Sequence, residues 1–192
     1  MRLAHRLCII ILTVLCSSQI LQAAELPLDK QVEFFLKVLK FDRTAMGREG
    51  SSIRVGIVYA GNDGTPATLL TQIDDILYEK SVAGEKVGEK SLTHSLLGFT
   101  SRANFEQQLK LFQISAFFIL PGNDANIAEL SDIAKSIGVI TFTGVPKYVS
   151  EGVAVGVKDV DGKPKVIVNL PLAKEQGADL NANLLKMADI IK

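Results

Sequence analysis

Apolar and polar positions divide the chain into a repeating series of short segments. Leu28 to Phe41 has apolar residues three and four apart, at Val32, Phe35, Leu36 and Leu39, which predicts an amphipathic helix. Phe34 and Phe41 widen its apolar surface beyond one face, so it either packs on the body or meets a partner. Arg43 to Ser51 is polar with two glycines and reads as a loop. Ile53 to Ala60 is rich in branched side chains and reads as a strand. Thr65 and Pro66 then suit a capping residue and a first helical residue, ahead of a face at Leu69, Leu70, Ile73, Ile76 and Leu77.

Glu79 to Ser95 carries Gly84 and Gly88 and reads mainly as loop, with a short edge strand within Lys86 to Leu92. A helix capped at Thr100 is expected to run to Phe112, followed by a core strand from Ile114 to Leu120. Asn123 or Asp124 starts the next helix, whose buried face is Ile127, Leu130, Ile133, Ala134 and Ile137. Val139 to Thr143 is a further strand, stopped by Gly144 and Pro146. Alternating valines on both sides of Asp161-Gly162 predict an antiparallel hairpin, with Pro164 outside its regular ladder. Pro171 to Gln176 and Ala178 to Ile191 are expected as closing helices. Strands alternating with helices predict one three-layer α/β domain, with a mainly parallel sheet and a C-terminal antiparallel hairpin.

The N-terminus changes this picture. Arg2, His5 and Arg6 precede an apolar run from Leu7 to Cys16, and small residues follow at Ala23 and Ala24. This is the layout of a signal peptide, over residues 1–23, with the domain filling 24–192. The run is short for a transmembrane helix. Both cysteines, Cys8 and Cys16, fall inside it, so the exported chain is expected to hold no disulfide or thiolate. The 192-residue precursor balances 21 basic against 21 acidic residues. Losing Arg2 and Arg6 leaves the exported chain mildly acidic, which argues against a nucleic-acid partner.

Candidate chemistry is sparse. Ligands of open α/β sheets collect beyond the carboxyl ends of the strands, which selects Asn62, Asp63, Asn123, Asp124 and Thr143 as candidate ligand-binding residues. They form no phosphate-loop or dinucleotide motif, and turns that only shape the fold are the more ordinary reading of them. His94 is the only histidine after the leader and has no recognisable catalytic companion, so no enzyme, cofactor or metal site is expected. Asp159 and Asp161 lack the rest of a calcium loop. Arg43, Arg48, Arg54, Lys86 and Lys90 form a basic set, but Glu49, Glu85 and Glu89 interrupt it, as on an ordinary solvated surface.

The C-terminal half is similar to a known family. Gly152-Val153-Ala154-Val155-Gly156-Val157 leads into Lys165-Val166-Ile167-Val168-Asn169-Leu170, then Ala173, Gly177, Leu180, Asn183, Leu184 and Leu185. With Phe35 to Phe41 and the strand Ile114 to Pro121, this resembles the YfiR/HmsC-like family of periplasmic regulators. The resemblance implies a soluble protein that binds the sensory domain of a membrane-bound diguanylate cyclase and restrains cyclic-di-GMP synthesis, thereby affecting biofilm formation. The alternative is a small-ligand-binding sensory module acting with another membrane receptor; a small molecule and a second copy of the chain are further candidate partners. The family's cysteine pairs are absent, and its usual Glu-Trp-Pro after the first helix is replaced by Asp42-Arg43-Thr44. Phe34, Phe41 and Arg43 are therefore the candidate partner-binding residues.

Overall fold

A long strand rich in branched apolar residues lies inside the sheet. In the computed structural model, which describes residues 26–191, β1 (Ser52–Ala60) pairs in parallel with β3 (Lys90–Phe99) on one side and β4 (Ala116–Ile119) on the other. β5 (Ile140–Thr143) and β6 (Val155–Val160) continue the parallel run. β7 (Lys163–Asn169) returns antiparallel to β6, β8 (Asp189–Ile191) closes that edge, and the two-residue β2 (Lys86–Val87) closes the other. The eight strands are ordered β2-β3-β1-β4-β5-β6-β7-β8.

Strand alternation sends side chains to two separate cores. On one face, Ile53, Val55 and Ile57 of β1 and Phe118 of β4 pack under α1 (Leu28–Lys40), α3 (Ala67–Val82), α7 (Leu170–Glu175) and α8 (Ala182–Met187). On the other, Val58, Phe117 and Ile119 meet α4 (Arg102–Leu111), α5 (Ile127–Ile137) and α6 (Pro146–Glu151). Each core has an aromatic centre. Phe35, Phe118 and Phe142 lie with centroids 5.1–5.3 Å apart, and Phe105 sits 5.3 Å from Phe99 and 5.7 Å from Phe117. The fold is thus the expected three-layer α/β domain.

Local departures have physical causes. Lys90 to Phe99 forms a full strand where only a short edge strand within Lys86 to Leu92, in a loop reaching Ser95, was expected, because nine residues of β1 offer it a parallel ladder. Its largely polar sequence suits a strand flanked on its far side by only two residues of β2. Arg43–Gly47 is a short helix, α2, capped by Asp42, whose side chain accepts from Thr44 N–H at 3.0 Å. β5 ends at Thr143, ahead of Gly144 and Pro146 as expected, and Pro146 in addition begins α6, as proline permits at a first helical turn. Thr65 caps nothing: its Oγ1 accepts from Ala60 N–H and donates to the Pro121 carbonyl, joining the ends of β1 and β4. Ser101, one residue later than expected, caps α4.

Pro164 lies inside the hairpin ladder, opposite Asp159. β8 covers β7 only from Ile167 onward, so Pro164 occupies a stretch with an open outer edge. The expected helix over Ala178 to Ile191 shortens to α8 and gives way to β8. Lys158 and Lys165 face each other across β6 and β7, and Asp189 of β8 binds both, at 2.9 and 2.6 Å. One carboxylate relieves a like-charge cross-strand pair and helps fix the last strand.

The two neighbouring phenylalanines of α1 have different fates. Phe35 is 1% exposed within the aromatic centre, whereas Phe34 is only partly buried. Phe35→Ala is expected to cost about 3–5 kcal/mol in urea unfolding. Phe34→Ala is expected to cost clearly less, because solvent already reaches its site.

Candidate functional site

The carboxyl ends of β1 and β4 form the topological switch point. Here α3 leaves β1 for one face and α5 follows β4 on the other. The loops themselves fill the crevice. Gly122, at φ 92°, brings its backbone so close to Gly64 that an added Cβ would strike the Gly64 carbonyl. Asn123 is fully buried and donates to the carbonyls of Leu120 at 3.0 Å and Val58 at 3.4 Å. Thr143 is also fully buried; its hydroxyl donates to Ile119 O and accepts from Val145 N–H. Both candidates direct their polar atoms into the strand ends.

The remaining candidates are more open. Asn62 and Asp63 stand exposed on the turn after β1. Asp124 accepts from Lys147 Nζ at 2.9 Å and from the Tyr148 hydroxyl at 2.7 Å. Those bonds hold the Asp124 carboxyl below its ordinary range, while burial and Asp124 push the Tyr148 phenol up. Lys147, Asp124 and Tyr148 thereby fasten α6 to the turn before α5. His94 Nε2 lies 2.8 Å from Asp74 Oδ1 and links β3 to α3. No cluster of three metal-ligating side chains occurs among the described residues, and no described helix is long and apolar enough to cross a membrane.

Phe34 and Phe41, by contrast, converge. With Val38 of α1 they line an apolar groove of about 220 Å³ whose other wall is Pro164, Val166, Leu184 and Met187. Met187 is 61% exposed at its mouth, and a shallower recess continues past it to Val160. Lys37 lies 5.1 Å from the Phe34 ring centroid and donates to Glu33 at 2.6 Å. Lys37 and Lys30 hold the Glu33 carboxyl down to about 2. The helical pattern exposed the first wall of this groove. The second depends on β7 and α8 meeting α1, and Met187 carries no sequence signal of its own.

A clasp formed by the segment after α1 brings those walls together. Asp42 pairs with Leu180 in an isolated β-bridge, and Asn181 N–H donates to the Phe41 carbonyl at 2.8 Å. Asp42 Oδ1 accepts from the backbone of both Thr44 and Asp179, at 3.0 Å each. Arg43 does not line the groove. Its guanidinium makes a two-pronged bond to Asp179, at 2.7 and 2.8 Å, on the exposed outside of the clasp. Such an exposed pair contributes little stability, so the buried backbone bonds of Asp42 carry the junction.

The sequence profile of the YfiR/HmsC-like family matches residues 39–189, which includes the clasp and most of both cores. The chain belongs to the YfiR/HmsC-like family. Its members are known as periplasmic regulators. No curated protein matches the sequence. Solved structures with a similar fold include a conserved domain protein of Vibrio cholerae O1 biovar El Tor, at 14% identity and a TM-score of 0.58, over 86% of this chain and 60% of that one. A Streptococcus pneumoniae ABC domain in complex with L-Trp has 13% identity and a TM-score of 0.57, over 85% and 61%. The ligand-free, open form of a Clostridium difficile substrate-binding protein with adhesive properties has 13% identity and a TM-score of 0.56, over 87% and 60%. The chain thus spans about three fifths of each of these structures, and the likeness concerns the α/β fold.

Burial raises the Asp42 carboxyl above its ordinary 3.8, against the pull of the Asp179 and Thr44 N–H groups. A folded-state pKa above the unfolded one gives stability that is complete below the unfolded value and is lost as pH rises through the folded value. Asp42→Asn keeps the accepting oxygen and removes the buried charge, so its unfolding free energy at pH 7 should equal or exceed that of the wild type. Asp42→Ala should lose about 1–3 kcal/mol by leaving the Asp179 N–H unpaired. Urea titrations at pH 7 and pH 4 distinguish the two substitutions.

Proposed function

We propose that this protein is a periplasmic regulator that binds the sensory domain of a membrane-bound diguanylate cyclase and restrains its output. The apolar groove between α1, β7 and α8 is the docking surface in this reading. The observation that carries it is the convergence of Phe34, Phe41, Leu184 and Met187 in one accessible groove of a YfiR/HmsC-like chain. Apolar and aromatic anchors seated in a desolvated pocket supply most of the affinity of typical interfaces. Arg43 and Asp179 stand beside the clasp and offer a polar margin to the same partner.

Restraint follows from differential binding. A soluble protein that prefers the inactive conformation of the membrane enzyme shifts its population toward that state. Release returns the enzyme to its own equilibrium without chemistry in the regulator. With Cys8 and Cys16 both in the leader, the exported chain lacks a thiol, so release in this protein runs through binding rather than disulfide exchange. Residues 1–23 are the export leader in this reading and lie outside the described residues.

Titration of the purified protein against recovered cyclase sensory domains tests the proposal. Met187→Glu places a charge at the groove mouth and is expected to weaken binding by about tenfold or more, with unfolding unchanged. Deleting the gene is expected to raise cyclic-di-GMP, and only a groove-competent copy should restore the low level. Failure of the purified protein to bind any such sensory domain refutes the reading. Intact mass of the periplasmic protein tests the leader, with a chain starting near Ala24 as the expected result.

A further inference from the structure

A larger and more polar recess lies where β1 and β4 begin. It encloses about 830 Å³ and shares no residue with the apolar groove. Arg48, Arg54 and Lys110 contribute three cations to its lining, against the single carboxylate of Glu49. None of these three cations forms an ion pair among the described residues. The lining therefore carries more positive than negative charge without a direct ion pair, and the Asp42 carboxylate acts on Arg48 only at a distance.

Two of the cations are held in place without carboxylates. Arg48 donates to the carbonyls of Ile114, at 3.2 Å, and Gly138, which fixes its guanidinium. Lys90 donates to the Arg48 and Gly50 carbonyls at 2.5 and 2.7 Å, steadying the loop that carries Arg48. Arg54 lies 5.5 Å from the centroid of the Phe112 ring. Its guanidinium has no hydrogen-bond acceptor among the described residues. Cation–π contact of this kind leaves the guanidinium N–H groups available to a planar or tetrahedral anion. Leu111, 76% exposed, adds apolar surface beside it.

We propose that this recess binds an organic anion: a phosphate monoester or carboxylate attached to an apolar or aromatic body. The charged head lies against Arg54 and Lys110, within the field of Arg48, and the body covers Phe112 and Leu111. The volume falls within the usual range for small-molecule sites. The same head chemistry occurs in soluble metabolites and in anionic lipid headgroups. The site stands independently of the cyclase reading, because neither surface contributes a residue to the other.

NMR titration of the purified protein with phenyl phosphate tests the site, with benzyl alcohol as the uncharged control. Phenyl phosphate is expected to shift the amide signals of residues 48–54 and 109–115, while benzyl alcohol leaves them unmoved. Arg54→Gln and Lys110→Gln alter side chains that make no described ion pair, and unchanged thermal melting would confirm intact folds. Each is expected to weaken binding by about tenfold. Vesicles containing phosphatidic acid, a lipid phosphate monoester, compared with phosphatidylcholine alone, form the lipid arm. Arg54-dependent binding to phosphatidic acid alone assigns the head to a lipid; a response to phenyl phosphate alone assigns it to a soluble ligand. No response in either arm, or responses that both substitutions leave unchanged, overturns the proposal.

Discussion

Two-sided burial of β1 and β4 is the constraint on which the rest of the architecture depends. Ile53, Val55, Ile57 and Phe118 require apolar cover on one face, while Val58, Phe117 and Ile119 require it on the other. A sheet with both faces apolar is stable only between two helical layers. Phe35 and Phe105 supply the aromatic keystones of those layers. The connections then turn to opposite faces at the switch point, and the loops meet there through Gly64, Gly122 and Thr65. A place that holds a ligand in many α/β proteins is here occupied by the chain's own backbone and by the inward side chains of Asn123 and Thr143.

Accessible surfaces consequently lie elsewhere. The apolar groove arises where the first helix meets the last strands and helix, at the junction fastened by Asp42. The sequence that replaces the family's Glu-Trp-Pro thus has a structural use: Asp42 and Arg43 bind the Asp179–Asn181 segment and set α8 against α1. A regulator built this way presents hydrophobic contacts on a rigid edge while its core remains closed. The polar recess at the start of β1 and β4 adds a chemically different surface, lined by more cations than carboxylates.

Particular elements show why some of this was legible in advance. The strands around Val55, Phe118 and Phe142 carry dense apolar runs, and Asp161-Gly162 marks its hairpin through the left-handed turn that both residues adopt. β3 was obscured because a polar strand beside a two-residue edge has no strong pattern of its own. β8 was obscured for another reason: its place depends on Asp189 reaching Lys158 and Lys165, some 24 to 31 residues earlier in the chain. Phe34 and Phe41 could be selected because they broadened the apolar face of a helix. Arg43 could be named but not placed, since its ionic partner Asp179 lies 136 residues away.

By itself the sequence determined the layered α/β class, the two apolar faces of the central strands, the hairpin turn and the family resemblance. Each rests on short-range periodicity or local turn chemistry, which operate within a few residues. Only the tertiary structure decided that Asn123 and Thr143 point inward, that Asp42 clasps the two ends of the domain, and that Phe34 and Phe41 share a groove with Met187. It likewise brought Arg48, Arg54 and Lys110 around one recess. Those outcomes depend on distant backbone segments meeting at hydrogen-bond distance, which no local pattern of side chains encodes.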